Sequence, residues 1–361
     1  MSSFVRGRSL SPFQENISPR VAIDAMGGDH GPSVIIKGIA MAVEKWPRLQ
    51  PVIVGDQSAI ENEIKKYNHL KNVEIVHTTE TVPADEKPSV ALRNGKNTSM
   101  RLAIDLVQEG KADAAVSGGN TGALMAMALI SLRTIENIDR PALAANLPTV
   151  DGVCCMLDLG ANIDCTAEHL VQFALMGDAF SRVTNGVQSP SIGLLNVGEE
   201  EQKGNASLRE ASTVLSSMGG ELNYYGFIEG NDITMGAVDV VVSDGFAGNI
   251  ALKTAEGTAK FITTLMRRSF SSSLLAKIGY MLVKVALKPM RKKLNPQRYN
   301  GAVLLGLNGI VVKSHGGANA EGMAYAINTA VQMITHDYMD DVKKSVARAV
   351  VMPDQQKDGN A

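Results

Sequence analysis

The chain has 361 residues, with 35 Lys and Arg against 37 Asp and Glu and a formal net charge of −2. Hydrophobic residues make up 45%, enough for a large core, which excludes an intrinsically disordered chain. Aromatics are only 4% while Gly numbers 34, which argues against a base-stacking nucleic-acid module and for an α/β enzyme with many tight strand-to-helix turns.

Residues 1–20 are rich in Ser and Arg but lack an apolar run, so they fail as a signal peptide and read as a flexible extension over 1–19. The first predicted strand is Val21–Ala25 and the first helix Pro32–Glu44. Strand Pro51–Val54, helix Gln57–Tyr67, strand Val73–His77 and helix Thr98–Gln108 follow. Then come strand Ala112–Ser117, helix Thr121–Leu132, strand Val153–Leu159 and helix Thr166–Arg182. The series closes with strand Ser191–Val197, helix Ala206–Ser217, strand Asp239–Ser243, helix Asn249–Arg267, strand Ile310–Ser314 and helix Ala320–Ile334. Alternation at this spacing predicts βαβ units and a mostly parallel, doubly wound sheet in a single domain over 20–350, with a flexible tail over 351–361. Runs such as DVVVS lack polar alternation because parallel strands are buried on both faces.

The three cysteines, Cys154, Cys155 and Cys165, form no C-x-x-C pair and read as small buried thiols. From Gly257 to Ala320 there is no Asp or Glu but eleven Lys and Arg, leaving 24 basic against 37 acidic residues elsewhere. Such a block points to an anionic partner: a membrane surface, an acidic protein or nucleic acid. Within it, Leu274, Ile278, Met281, Leu282 and Val285 share one face of a predicted amphipathic helix over 274–288, with Lys277, Lys284 and Lys288 on another. The apolar face of 274–293 is too narrow for an integral anchor, and Pro289 is expected to break the helix. A dimer-interface helix is the competing reading.

Ligands of parallel sheets bind outside the carboxyl ends of the strands. Six such ends carry Gly with polar residues: Asp24–Gly31, Ser117–Gly122, Asp158–Asn162, Asn196–Glu201, Ser243–Asn249 and Lys313–Gly317. Together they predict one convergent site. No G-x-G-x-x-G follows the first strand, and there is no P-loop, G-x-S-x-G elbow or H-E-x-x-H. Gly119, Asn120 and Thr121 at a helix start suit an anion cradle, although Asn120 or Thr121 could equally be a helix cap. Gly248-Asn249 repeats the arrangement, with Lys253 one turn inside. Lys203 reads either as a site cation or as a surface partner of Glu199–Glu201, and His315 as a proton donor or anion-binding group.

The motifs IDAMGGDHGP (23–32), SGGNTGALM (117–125), LDLGAN (157–162), LLNVGEEEQKGN (194–205), DVVVSDGFAGNIALKTAEG (239–257) and LLGLNGIVVKSHG (304–316) resemble, in order, the bacterial phosphate acyltransferase family, PlsX. The resemblance runs from about residue 20 to 350; after SHG the chain reads GANAEGM rather than the commoner SSDA-like run. It implies a homodimeric three-layer α/β/α fold similar to isopropylmalate dehydrogenases and phosphate acetyltransferases. It also implies conversion of acyl–acyl-carrier protein and inorganic phosphate to acyl phosphate for phospholipid synthesis. On that reading Lys203, His315, Asn249 and Asp244 are catalytic. Asp24, Gly27, Gly28, Gly119, Asn120, Thr121, Asp158, Asn162, Lys253 and Lys313 bind substrate or phosphate. Asp24, Asp29, Asp158 and Asp244 are an alternative Mg²⁺ set, but phosphate is itself the nucleophile, so neither a metal nor a cofactor is expected. The basic block would meet acyl-carrier protein or an anionic membrane, not nucleic acid, giving a cytoplasmic enzyme in peripheral contact with the inner face of the cell membrane. The alternative function is a metal- and nicotinamide-dependent dehydrogenase of similar fold.

Overall fold

The computed structural model describes residues 17–350, so most of the predicted extension and the whole predicted tail lie outside the described residues. The first half runs β1 (Arg20–Asp24), α1 (Pro32–Lys45), β2 (Gln50–Gly55), α2 (Gln57–Ile64), β3 (Glu74–His77), α3 (Pro88–Asn94), α4 (Ser99–Gln108), β4 (Ala114–Ser117) and α5 (Thr121–Leu132). It continues with β5 (Ala142–Pro148), β6 (Val153–Leu157), α6 (Ala167–Asn185), β7 (Ser191–Leu195), α7 (Ala206–Ser217), β8 (Asn223–Ile228), α8 (Gly230–Met235) and β9 (Val240–Val242). The last part is α9 (Gly245–Ser271), α10 (Leu274–Val283), α11 (Lys288–Lys293), β10 (Ala302–Leu305), β11 (Ile310–Lys313), α12 (Ala320–Thr335) and α13 (Tyr338–Val350).

All of these strands join one sheet in the order β3-β2-β1-β4-β11-β10-β5-β6-β9-β7-β8. Pairing is parallel from β3 to β11 and again from β6 to β8. Between these halves β10 pairs antiparallel with β11 and with β5, and β5 pairs antiparallel with β6. The two parallel halves therefore run in opposite directions. Register brings their carboxyl ends together: Lys313, Ala302, Ala145 and Met156 fall in one transverse row.

Helices cover both faces, as the period of the strands requires. Val21 and Ile23 of β1, Cys155 and Leu157 of β6 and Val312 of β11 belong to one apolar layer with α1, α6 and α12. Ala22, Cys154, Met156 and Val311 belong to the other with α4 and α5. This is the expected three-layer, mostly parallel arrangement. It differs from the predicted element string at β5, β8 and β10, and at the short helices α3 and α8 and the C-terminal α13. The amphipathic segment also differs: α10 stops at Val283, and Pro289 opens α11 instead of merely ending a helix. Proline suits a first turn because the N–H it lacks would have no acceptor there.

α13 docks on the core through Tyr338, Val342 and Val346, and a polar link to α6 lies beside them. Asp178, almost fully enclosed, pairs with Arg182 at 2.8 Å, and Arg182 also donates to Ser345 Oγ at 3.1 Å. Burial pushes the Asp178 carboxyl up to about 6, with Arg182 opposing and Asp341 adding to the rise. The native state then holds this proton more tightly than the unfolded chain, so stability from the protonated form falls as pH climbs through that value. An Asp178→Asn variant cannot titrate. Its stability relative to the parent should rise by up to about 3 kcal/mol between about pH 4 and pH 7, read from urea midpoints. A pH-independent difference would refute this.

Candidate functional site

The turn after β1 is held from within. Asp24, buried at the strand end, accepts N–H bonds from Met26 and Gly27 at 3.1 Å and the Ser117 hydroxyl at 2.6 Å. Ser117 Oγ in turn accepts the Gly119 N–H at 3.1 Å. A Cβ on Gly27 would sit 2.5 Å from Asp24 Oδ2 and 2.7 Å from the Gly119 nitrogen, so only glycine lets these two turns approach. The turn after β11 joins them through Asp29 N–H to the Gly316 carbonyl at 2.9 Å.

Asn120 is the N-cap of α5, its Oδ1 accepting from Ala123 N at 3.0 Å while its amide donates to the carbonyls of Ala84 and Glu86. Its side chain is thereby committed to holding the turn. The free donors are the first N–H groups of α5, at Thr121 and Gly122, which have no intrahelical acceptor. Lys313 closes the turn from below. Its ammonium, 8% exposed as a residue, donates to the carbonyls of Gly118 (3.4 Å) and Ser314. Burial pushes it down to about 8, against the pull of Asp24 and Asp29, with Lys253 adding to the fall. His315 is exposed at the rim. Its Nδ1 accepts the Gly317 N–H at 3.1 Å, so the neutral ring carries its proton on Nε2.

The second cluster forms at the ends of β6 and β9. Asp158 is fully buried: Oδ1 accepts from the nitrogens of Leu143, Gly160 and Ala161, and Oδ2 from the Asn162 backbone and side-chain nitrogens at 2.6 and 2.9 Å. Burial raises its pKa against these bonds. Asn162 also donates to the Pro141 carbonyl at 2.8 Å. Asp158 and Asn162, expected as substrate contacts, thus form the base of the loop. Asp244 caps α9, accepting from Ala247 N at 2.7 Å, and Asn249 is exposed beside Gly160.

The six strand-end turns therefore form linked groups rather than one ring. Asp24, Gly27, Gly28, Gly119, Asn120, Thr121, Lys313 and His315 come together at one half-sheet, and Asp158, Asn162, Asp244 and Asn249 at the other. Lys253 on α9 has a half-exposed side chain that pairs with Glu256 at 2.8 Å, and its charge repels the Lys313 ammonium of the first cluster. Lys203 stands exposed on the turn after β7, next to β9, with no ion pair to Glu199–Glu201 among the described residues. The acids named as an Mg²⁺ set divide between the two clusters, and no group of three or more metal-ligating side chains exists among the described residues. Sequence reading placed Ser117 in a strand-end turn without a role of its own, and missed Asn300. Asn300 accepts the His315 N–H at 2.8 Å and donates to Ser314 Oγ and the Gly322 carbonyl. Its only signal is its place before Gly301 at the mouth of a short strand. Burial pushes the thiols of Cys154 and Cys165 up to about 12 and raises Cys155, so none is an activated nucleophile.

The fold is that of phosphotransacetylases. A phosphotransacetylase from Streptococcus pyogenes superimposes with a TM-score of 0.60 at 20% identity, covering 88% of this chain and 94% of that one. A 4-hydroxythreonine-4-phosphate dehydrogenase from Klebsiella pneumoniae shares the fold with a TM-score of 0.52 at 17% identity, covering 92% and 99%. Sequence narrows this class. A profile described as "Fatty acid synthesis protein" matches residues 19–340. A phosphate acyltransferase of Rhodospirillum centenum is 52% identical over 329 residues, 91% of this chain and 93% of the relative. Another, of Paramagnetospirillum magneticum, is 49% identical over 339 residues, covering 93% and 97%. The chain belongs to the phosphate acyltransferase (PlsX) family of fatty acid synthesis.

Gly248 supplies a test of how the second cluster is built. A Cβ there would lie 1.9 Å from the Asp158 carbonyl and 2.7 Å from Ser243 Oγ, whereas one on Gly257 of the same helix meets nothing within 4 Å. Gly248→Ala should cost about 2 kcal/mol or more in stability, and Gly257→Ala should gain about 0.5–1 kcal/mol. Urea unfolding of the pair measures both, and equal midpoints would contradict the geometry.

Proposed function

We propose that this protein transfers the acyl group of acyl–acyl-carrier protein to inorganic phosphate, feeding acyl phosphate to phospholipid synthesis. A phosphate oxygen attacks the thioester carbonyl, the carbon–sulfur bond breaks, and the carrier's phosphopantetheine thiolate leaves and takes up a proton. The observation that carries this reading is the Gly118–Gly122 turn: open helix N–H groups with the Lys313 ammonium held beneath them, in a member of this family. Phosphate binds there by N–H groups and charge. Asn249 and Lys203 stabilise the carbonyl oxygen and the phosphate as charge develops, and Lys253 adds a second cation. Asp244 acts through Asn249 by fixing the start of α9. His315, with its proton on Nε2, serves the leaving thiolate. Incubation with acyl–acyl-carrier protein and labelled phosphate tests the reading, and absence of labelled acyl phosphate would overturn it.

Lys203→Ala and Asn249→Ala should each lower turnover about a hundredfold with little change in stability, since each removes a transition-state contact worth on the order of 3 kcal/mol. Near-normal turnover in both would move the phosphate site elsewhere.

We also propose that the α9–α10–α11 arm makes a peripheral contact with the anionic inner face of the membrane, in a homodimer. α10 and α11 bury no residue, and Leu274, Leu275, Leu282 and Val285 are each at least 75% exposed. The arm coheres through Phe270, Tyr280 and Arg291, whose guanidinium donates to the Tyr280 hydroxyl at 3.0 Å. Among the described residues no helix is long and apolar enough to cross a membrane. Attraction of about 1 kcal/mol per basic residue should add to apolar insertion and weaken with salt. Lys277, Lys284 and Lys288 changed together to Glu should release the protein from anionic vesicles in flotation. Unchanged vesicle binding would reject the membrane contact, and selective loss of affinity for carrier protein would make the arm its docking site.

A further inference from the structure

His315 is the first residue beyond the ladder that joins β11 to β4, which ends with the bond from the Ser314 N–H to the Ser117 carbonyl at 2.8 Å. It is followed by Gly316 and Gly317, the residue type that restricts a backbone least. With Gly28 and Gly118 it borders a small pocket between the turns after β1, β4 and β11. An exposed side chain on so free a stretch keeps a defined place only if its own backbone is pinned. The Ala318 N–H closes a turn on the His315 carbonyl at 3.0 Å, which fixes the far side of the residue. Its near side depends on the Asn300 carboxamide, which accepts the His315 N–H at 2.8 Å.

Asn300 is itself held firmly. It follows the short helical turn Pro296–Tyr299 that leads from α11 to β10. Its Nδ2 donates to Ser314 Oγ and to the Gly322 carbonyl, each at 2.8 Å. A carbonyl only accepts and a backbone N–H only donates, so the Gly322 and His315 bonds together fix which end of the amide is oxygen. The chain on either side is pressed against α12. Gln297 Oε1 accepts the Asn319 N–H at 3.1 Å, and Arg298 Nε donates to the Tyr325 hydroxyl at 3.2 Å. A Cβ on Gly322 would lie 2.1 Å from Gln297 Oε1, and one on Gly301, where φ is 110°, 2.8 Å from the Ala326 Cα. α12 in turn packs on β11 and β4, so Asn300 ties the His315 backbone to a rigid layer of the fold.

We infer that Asn300 is a positioning residue for His315, fixing the peptide that carries the imidazole. The inference rests on the acyltransferase reading, in which His315 serves the leaving thiolate, and adds the group that keeps it in reach. A proton donor works only within hydrogen-bond distance of the atom it serves. Misplacement by about 1 Å can cost a hundredfold in rate. Without Asn300 the His315 N–H, the Ser314 hydroxyl and the Gly322 carbonyl lose a partner together, and the peptide before the two glycines is free to turn. Asn300 acts through His315 and not on phosphate, so its loss falls on kcat and not on phosphate affinity.

The test is a double-mutant cycle on the full-length protein with palmitoyl–acyl-carrier protein and inorganic phosphate. Asn300→Ala should lower kcat about tenfold or more with KM for phosphate within about twofold, and His315→Ala should lower kcat about a hundredfold. In the His315→Ala background, adding Asn300→Ala should change kcat by less than about twofold, because the group it places is gone. Losses that multiply in the double variant would make Asn300 a general prop of the fold and overturn the inference. Unaltered kcat in Asn300→Ala, a loss confined to KM, or unaltered turnover in His315→Ala would overturn it too. Should Asn300→Ala not fold, Asn300→Ser takes its place in the same cycle. If the unaltered protein forms no acyl phosphate, it is the acyltransferase reading that fails. If it forms product and the losses multiply, only the role of Asn300 fails.

Discussion

The β11–β10–β5–β6 ladder is where the chain direction of the sheet reverses, and the site depends on that reversal. In a uniformly parallel sheet all carboxyl ends would lie along one edge. Here two antiparallel strands turn the second half around, while register keeps Lys313 and Met156 in one row. Reversed halves in flush register would hold their carboxyl ends a strand length apart; the stagger makes the turns meet over the middle of the sheet. The α5 turn then faces the α9 turn across two strands instead of standing beside it.

Each half holds its turn with a buried carboxylate. Asp24 gathers two backbone N–H groups and the Ser117 hydroxyl, and Asp158 gathers four backbone N–H groups and the Asn162 amide. A buried charge survives only with such partners, and the partners are thereby fixed. These acids consequently shape the loops on which exposed groups such as Thr121, Asn249 and His315 are carried. The same logic accounts for glycine at 27 and 248, where a side chain would strike the carboxylate or its own carbonyl.

Much of this was legible in the sequence. Helices Thr121–Leu132 and Ala206–Ser217 have the predicted ends; Asn120, one of the two cap candidates at its helix start, caps the first and Asn205 the second. Of the three strands that were not foreseen, β5 and β10 are the ones that make the sheet mixed. β5 reads ALAANLP, poor in β-branched residues, and β10 is four residues placed between a basic run and a Gly-Leu-Asn-Gly turn. Short, alanine-rich, centrally buried strands carry little propensity signal, since their stability comes from neighbours distant in sequence. The candidate site residues were read from strand-end position, and position alone does not separate a residue open to a ligand from one that holds the turn. Asp158, Asn162 and Asn120 turned out to do the second, which only their hydrogen-bond partners reveal.

The capping residues of the two facing helices have an electrostatic consequence. α5 and α9 both direct their amino-terminal ends, each equivalent to roughly half a positive charge, toward the middle of the sheet. The cap of α9 is Asp244, a carboxylate when ionised, which offsets that helix's field; the cap of α5 is the neutral Asn120, which does not. With Lys313 beneath it, the α5 end is the more positive of the two, although the Asp24 carboxylate at the same turn offsets part of that charge. The two helix ends that meet over the sheet are therefore electrically unlike, so that an anion is favoured at the α5 end over the α9 end.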